Sequence, residues 1–255
     1  MRRRPQVGRS RRPEGETRAL LLDALGTLLE LEPPVEPLRR ELRERFGVEL
    51  SAAEAGGALR AEIAFYRAHH DAASDRARLG ELRARSAAAL RAAFPPGPAR
   101  ELPLAPLTEA LLAALRFRPF AEVPAVLRAL REQGVRLVVV SNWDVSLHDV
   151  LAETGLAPLL DGVVTSAEVG SAKPDGAIFA RGLALAGAAA HEALHAGDSV
   201  EHDVAGARAA GIEPLLVARD GVPEDLPAGV RAIATLRPLL DRVGAGAPRA
   251  VSFDA

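Results

Sequence analysis

The stretch Ala193-Leu194-His195-Ala196-Gly197-Asp198-Ser199-Val200-Glu201-His202-Asp203-Val204-Ala205-Gly206-Ala207 decides the fold. A short run, Ala193–Ala196, reads as a buried strand. Asp198 follows it, and Asp203 comes five residues later at the start of a helical pattern that runs to Ala210 and stops at Gly211. A strand that ends in a carboxylate and leads straight into a helix is the unit of an open parallel sheet. In such sheets the ligand crevice lies beyond the carboxyl ends of the strands.

Working outward, four more apolar runs have strand character: Arg18–Leu22, Val135–Val140, Gly162–Thr165 and Glu213–Val217. From Val135 onward they alternate with helical patterns, Pro124–Gln133 before the first and Ser146–Thr154 after it. Pro174 suits the first position of another helix, which runs to about Ala186. The expected fold is therefore α/β, a Rossmann-like parallel sheet with helices on both faces.

The first two strands are not joined by one crossover helix. The intervening segment carries four helical stretches, Pro37–Phe46, Ser51–Ala73, Arg78–Phe94 and Pro106–Phe117, and no convincing strand. Pro33 and Pro34 precede it, and Pro119 and Pro124 follow it. The expected division is a core of 18–32 plus 118–243 and an all-helical cap of 33–117. Residues 1–17, Arg-, Pro- and Gly-rich and without periodicity, read as a disordered basic tail, and 244–255 as a flexible one. There is no internal repeat.

Composition narrows the function. A net charge of −2 disfavours a nucleic-acid partner, and the absence of cysteine removes disulfide, zinc-thiolate and thiol chemistry. No apolar run approaches the ~18 residues of a membrane span. The short run before Asp23 is no signal-peptide core. The reading is a soluble, cytoplasmic protein. Of 32 basic residues Lys173 alone is lysine, which marks a position where a compact ammonium is needed and a planar guanidinium does not serve.

Taken strand by strand, polar groups gather at one sheet edge: Asp23 after Leu20-Leu21-Leu22, Ser141 and Asn142 after Val138-Val139-Val140, Lys173 in Ser171-Ala172-Lys173-Pro174-Asp175, then Asp198 and Asp203. Each alone could cap a helix. Together they aim three carboxylates, a lysine, a hydroxyl and an amide at one small volume. Mutual repulsion among the carboxylates is relieved by Lys173 and a divalent cation, and few, hard oxygen ligands suit Mg2+.

Through these four ordered motifs the chain resembles haloacid dehalogenase-like hydrolases over roughly residues 18–240, in the class whose helical cap follows the first motif. Asp23-Ala24-Leu25-Gly26-Thr27 matches the nucleophile motif, Ser141-Asn142 the second, Lys173-Pro174-Asp175 the third and the Gly197–Ala207 stretch the acidic fourth. The resemblance implies Mg-dependent hydrolysis of a small-molecule phosphate ester through an aspartyl-phosphate on Asp23. Lys173 would neutralise the phosphoryl oxygens, and Ser141, Asn142 and Thr27 would bind them. Asp23, Asp198, Asp203 and the Leu25 carbonyl would hold the metal. Gly26 and Thr27 would also shape the tight turn.

Leu25 departs from the pattern, because family phosphatases usually carry an acid/base aspartate there. Such help is typically worth ~10²–10⁴-fold, so esters with poor leaving groups should turn over slowly. A metal-independent 2-haloacid dehalogenase is one alternative, disfavoured by Gly197-Asp198 in the fourth motif. A phosphonatase would need a cap lysine, and Lys173 lies outside the cap. A catalytically weakened phospho-ligand-binding protein is the other alternative, with Leu25 in its favour. His69 and His70 read as surface helix residues, His202 as a surface residue or a substitute proton donor, and Trp143 as a pocket flank or packing residue. Arg39, Arg40 and Arg43 read as a solvated face paired with Glu36, Glu41 and Glu44. The reading leaves room for a homodimer.

Overall fold

The computed structural model describes residues 17–224 and 226–243; both tail readings fall outside this range apart from Thr17. Eight strands are present among the described residues: β1 Ala19–Leu22, β2 Leu29–Leu31, β3 Phe117–Pro119, β4 Arg136–Ser141, β5 Gly162–Thr165, β6 Ala193–Gly197, β7 Glu213–Val217 and β8 Arg231–Ile233. Six form one parallel sheet in the order β5-β4-β1-β6-β7-β8. This is an α/β, Rossmann-like core.

Central strands read as unbroken apolar runs because both faces are covered, yet their side chains still alternate. Leu20, Leu22, Leu137, Val139, Leu194, Ala196, Leu215 and Val217 face one cluster. It is completed by α5 (Val123–Glu132), α6 (Leu147–Glu153) and α10 (Leu239–Val243). Ala19, Leu21, Val138, Val140 and Ala193 face the other. That side is covered by α8 (Gly176–Ala186) and α9 (Ala205–Ala209), with α7 (Ser166–Val169) following β5.

Between β2 and β3 lie α1 (Val35–Phe46), α2 (Ala52–His69), α3 (Arg76–Ala92) and α4 (Leu104–Ala114). They enclose a core of their own, with Leu38, Leu42, Leu59, Leu90, Phe94, Leu107 and Leu111 buried together. Ser51 starts α2 through a full capping box with Glu54, and Asp75 starts α3 by accepting the Arg78 N–H.

Several sequence readings need correction. The second helix of the insertion ends at His69, with a 3-10 turn at His70–Ala72. The fourth ends at Ala114, because Phe117 begins β3. The two linkers do more than stiffen: β2 and β3 pair antiparallel, Leu29 opposite Pro119 and Leu31 opposite Phe117. Strand β8 was not foreseen. Pro174 lies before α8 and not at its first position, because Asp175 takes the cap and accepts the Ala177 N–H at 2.7 Å. The helix expected from Asp203 is preceded by a π-helical turn over Val200–Val204. Among the described residues no helix is long and apolar enough to cross a membrane.

Candidate active site

Asp23 leaves the end of β1, its N–H bonded to the Ala196 carbonyl on β6 at 2.9 Å. The chain then turns sharply, with Gly26 at φ +82°. A Cβ at Gly26 would stand 2.0 Å from an Asp198 carboxylate oxygen, so only glycine lets the first and fourth motifs approach. Arg219 ties this turn down from β7's trailing end: Nε donates to the Gly26 carbonyl at 3.1 Å and a terminal nitrogen to the Thr27 carbonyl at 2.5 Å. Its guanidinium lies 3.4 Å from the centre of the Phe120 ring and pairs with Glu122 at 2.9 Å.

Lys173 is the hub. Its ammonium, buried to 2 % side-chain exposure, donates to Asp23 Oδ1 at 2.6 Å and Asp203 Oδ1 at 2.5 Å. Ser141 Oγ, at the end of β4, donates to the same Asp23 oxygen at 2.9 Å. The Asn142 amide is used to hold the lysine's backbone: Nδ2 donates to the Lys173 carbonyl at 3.0 Å, and the Lys173 N–H donates to Oδ1 at 2.7 Å. Asp203 is buried and also accepts the Ser199 N–H on Oδ2 at 3.0 Å, while Asp198 is exposed. Gly197 makes room for Asp203, since a Cβ there would fall 2.1 Å from its carboxyl carbon.

The electrostatics follow from this packing. Burial raises the Asp23 carboxyl, Lys173 pulls it down and Asp203 pushes it up again, for a net rise. Burial also works to raise Asp203, but Lys173 and the His195 hydrogen bond outweigh it and hold that carboxyl below the usual range. Lys173 is held above the ordinary lysine value: burial opposes its charge, and the Asp203 and Asp23 carboxylates prevail. Asp198, although it reaches solvent, is pushed up to about 7, first by the partial loss of water around its carboxyl, then by Asp23 and Asp203. One oxygen from each of Asp23, Asp198 and Asp203 lies within 4.8 Å of the others. Three hard oxygen donors with one face toward solvent fit a small divalent cation.

The remaining candidates fall around this centre. Leu25 is 37 % exposed. Thr27 is fully buried, and its hydroxyl has no hydrogen-bond partner among the described residues. His202 is exposed. Trp143 is buried against Phe117, ring centres 5.1 Å apart, and so packs the root of the insertion. His69 and His70 stack on Phe65 and Tyr66.

The insertion is seated on the core beside the second motif. Tyr66 donates to Asp144 at 2.9 Å, Val145 N–H donates to the Ala73 carbonyl at 3.1 Å, Ser166 donates to Asp71, and Arg76 pairs with Asp149. Sequence reasoning missed His195, Arg219 and Asp144. His195 left a usable trace, a lone ionisable ring in an otherwise apolar strand. Arg219 left none in so arginine-rich a chain.

A family model described as haloacid dehalogenase-like hydrolase matches residues 17–211. Among curated proteins, "Haloacid dehalogenase-like hydrolase domain-containing protein 3" of Bos taurus is 40% identical over 128 residues, covering 46% of this chain and 49% of that protein. A phosphoserine phosphatase of Thermus thermophilus is 37% identical over 111 residues, covering 43% and 45%. The chain thus spans about half the length of the curated relatives it matches. Among solved structures, a HAD phosphatase from Thermococcus onnurineus is similar at TM-score 0.60 and 24% identity, covering 89% of this chain and 98% of that one. The defluorinating L-2-haloacid dehalogenase Rha0230 is similar at TM-score 0.68 and 21% identity, covering 91% and 98%. At these identities the structures speak for the fold alone.

Proposed function

We propose that this chain, which belongs to the haloacid dehalogenase-like hydrolases, hydrolyses small phosphate esters through a covalent intermediate on Asp23. The carrying observation is the convergence of Lys173 and Ser141 on a single oxygen of Asp23, beside a cluster of three carboxylates. Two donors on Oδ1 orient the carboxylate and leave Oδ2 as the attacking atom. That oxygen forms the bond to phosphorus as the ester P–O bond breaks, and the departing alkoxide takes a proton from water. Water then cleaves the aspartyl-phosphate, releasing inorganic phosphate and restoring Asp23.

Lys173 has three ammonium hydrogens, two of them committed to Asp23 and Asp203; the third serves the phosphoryl oxygens. Ser141 supplies a hydroxyl at the same point, while Asn142 acts by fixing Lys173. Asp23 and Asp198 would hold Mg2+ together with the Leu25 carbonyl, and Asp203 would hold it directly or through water. The bound cation supplies charge that offsets the crowded carboxylates and the developing phosphoryl charge. Residues 33–117 serve as a cap that closes over the substrate and excludes water while the intermediate forms. A cytoplasmic setting belongs to the same reading.

Leu25 offers no proton to a leaving group, so aryl and acyl phosphates are favoured over alkyl ones. The phosphatase-named relatives support small phosphate esters as the broad class, and the aryl and acyl preference rests on Leu25 alone. A haloacid-cleaving site, which the dehalogenases among the structural neighbours bring to mind, gives no role to an acidic cluster. The test is phosphate release from p-nitrophenyl phosphate with magnesium and with EDTA, for wild type and Asp23→Asn. Magnesium-dependent release that Asp23→Asn abolishes supports the reading. Wild-type inactivity on the ester but turnover of 2-haloacids would replace it, and inactivity on both would favour a phospho-ligand-binding protein.

A further inference from the structure

His195 sits on β6 two residues before Gly197, fully buried on the sheet face covered by α8. Its sheet neighbour on β1 is Leu21, and its ring meets the edge of Phe179 at 5.1 Å and 87°. An apolar side chain would suit this position well. The histidine instead places Nε2 2.8 Å from Asp203 Oδ1, while Nδ1 is buried with no hydrogen-bond partner among the described residues. A buried polar atom left unpaired is costly. The ring therefore earns its place through Nε2.

Resting on the phosphatase reading, we infer that His195 is a positioning residue for the nucleophile, acting through Asp203 and Lys173. Asp203 Oδ1 is an acceptor only, so the ring hydrogen lies on Nε2 and His195 donates. The order of contacts is His195 Nε2 to Asp203 Oδ1, Asp203 Oδ1 to Lys173 Nζ, and Lys173 Nζ to Asp23 Oδ1. The Ser199 N–H holds Asp203 Oδ2 at 3.0 Å. With both oxygens bound, the carboxylate cannot rotate, and the lysine it grips cannot drift from the nucleophile.

Without His195, Asp203 Oδ1 answers to Lys173 alone, and the pair can swing about the Ser199 contact. Lys173 would then lose its register with Asp23 and the aim of its third hydrogen. His195 itself never reaches the substrate. Its loss therefore lowers turnover and leaves substrate binding nearly intact, because small displacements at a reacting centre cost rate steeply.

The experiment compares full-length wild type, His195→Leu, His195→Gln and His195→Asn on p-nitrophenyl phosphate with magnesium, with Tm recorded for each. Glutamine carries an amide N–H about as far out as Nε2, and asparagine stops short of it. We expect kcat to fall roughly 10- to 100-fold in His195→Leu and His195→Asn, with KM within about twofold, and to recover most of the way in His195→Gln. If His195→Leu does not fold, the Gln-versus-Asn pair carries the comparison. Equal kcat in Gln and Asn variants, or a Tm change with kcat untouched, overturns the inference.

A second readout does not require turnover. Long-range ¹H–¹⁵N spectra of the wild-type protein should show the His195 hydrogen on Nε2. A hydrogen on Nδ1 alone overturns the inference, whereas an inactive wild type with the Nε2–H ring counts against the phosphatase reading only.

Discussion

In the helical insertion, Arg39 meets Glu36, and Arg45 meets Glu41 and Glu109, with side chains open to solvent on at least one side of each pair. At the sheet edge, Lys173 meets Asp23 and Asp203 with all three side chains at 8 % exposure or less. Water screens the first set, and exposed pairs of this kind contribute little to stability. The second set has lost its water, so each member depends on the others, and removing one strands the rest. Arginine thus fills the wet positions, while the dry, crowded one holds the lysine. Arg219 is the instructive intermediate: it is half-buried, and its flat guanidinium lies on Phe120 while reaching two carbonyls, which an ammonium could not do at once.

The largest effect expected from this contrast is at Lys173. Lys173→Arg should cut kcat by at least about 10³-fold, because two short contacts at 2.5 and 2.6 Å leave no room for a planar fork. A steady-state assay decides it, and an active Arg variant would break the distinction between wet and dry charge. Next comes Leu25→Asp, which adds a carboxylate at the exposed mouth. Turnover of alkyl phosphates should rise by up to roughly 10²-fold and that of aryl phosphates much less. Equal gains on both would show that proton supply is not what limits the enzyme.

A smaller effect is expected at Glu62, the insertion's own buried carboxyl. Burial raises it above its ordinary value, with Ser86 working the other way. The folded state then binds the proton more tightly than the unfolded chain. That contribution is complete below the ordinary glutamate pKa and is lost as pH climbs through the raised value. Glu62→Gln, which does not titrate, should therefore gain on wild type in Tm as pH rises from the ordinary glutamate value, about 4, toward neutral. A constant difference across that range would show that Glu62 is solvated after all. Smallest of all is Arg45→Ala, which should leave Tm within about 1 °C of wild type. A larger drop would make the insertion's surface pairs a cooperative network.

The sequence showed the middle of the sheet better than its margins, for a physical reason. Strands β1, β4, β5, β6 and β7 are buried apolar runs bounded by turns, and that pattern is local. Strand β8 is three residues long on the sheet's edge, and β2 and β3 are three residues each, the latter ending in Pro119. They exist because of partners far along the chain. The site divides the same way. Asp23, Ser141 and Asp198 stand at or just beyond strand ends, where polar residues attract notice, while Lys173 follows α7 and Asp203 lies in the π-helical turn after β6. Asn142 was read as a phosphate ligand because nothing in its neighbours announces that its amide is already engaged by the backbone of Lys173, 31 positions away. Arg219 matters through contacts across the fold, which no local pattern records, whereas His195 stands out locally as a lone ring in an apolar strand.

The β2–β3 ribbon has one further consequence. Because Glu30 faces Arg118 across adjacent strands, the chain departs for the insertion and returns from it at nearly one point, about 5 Å apart. The whole helical unit is therefore a plug in a two-pin socket. A module of a different length could be joined at the same two points without asking the sheet to move.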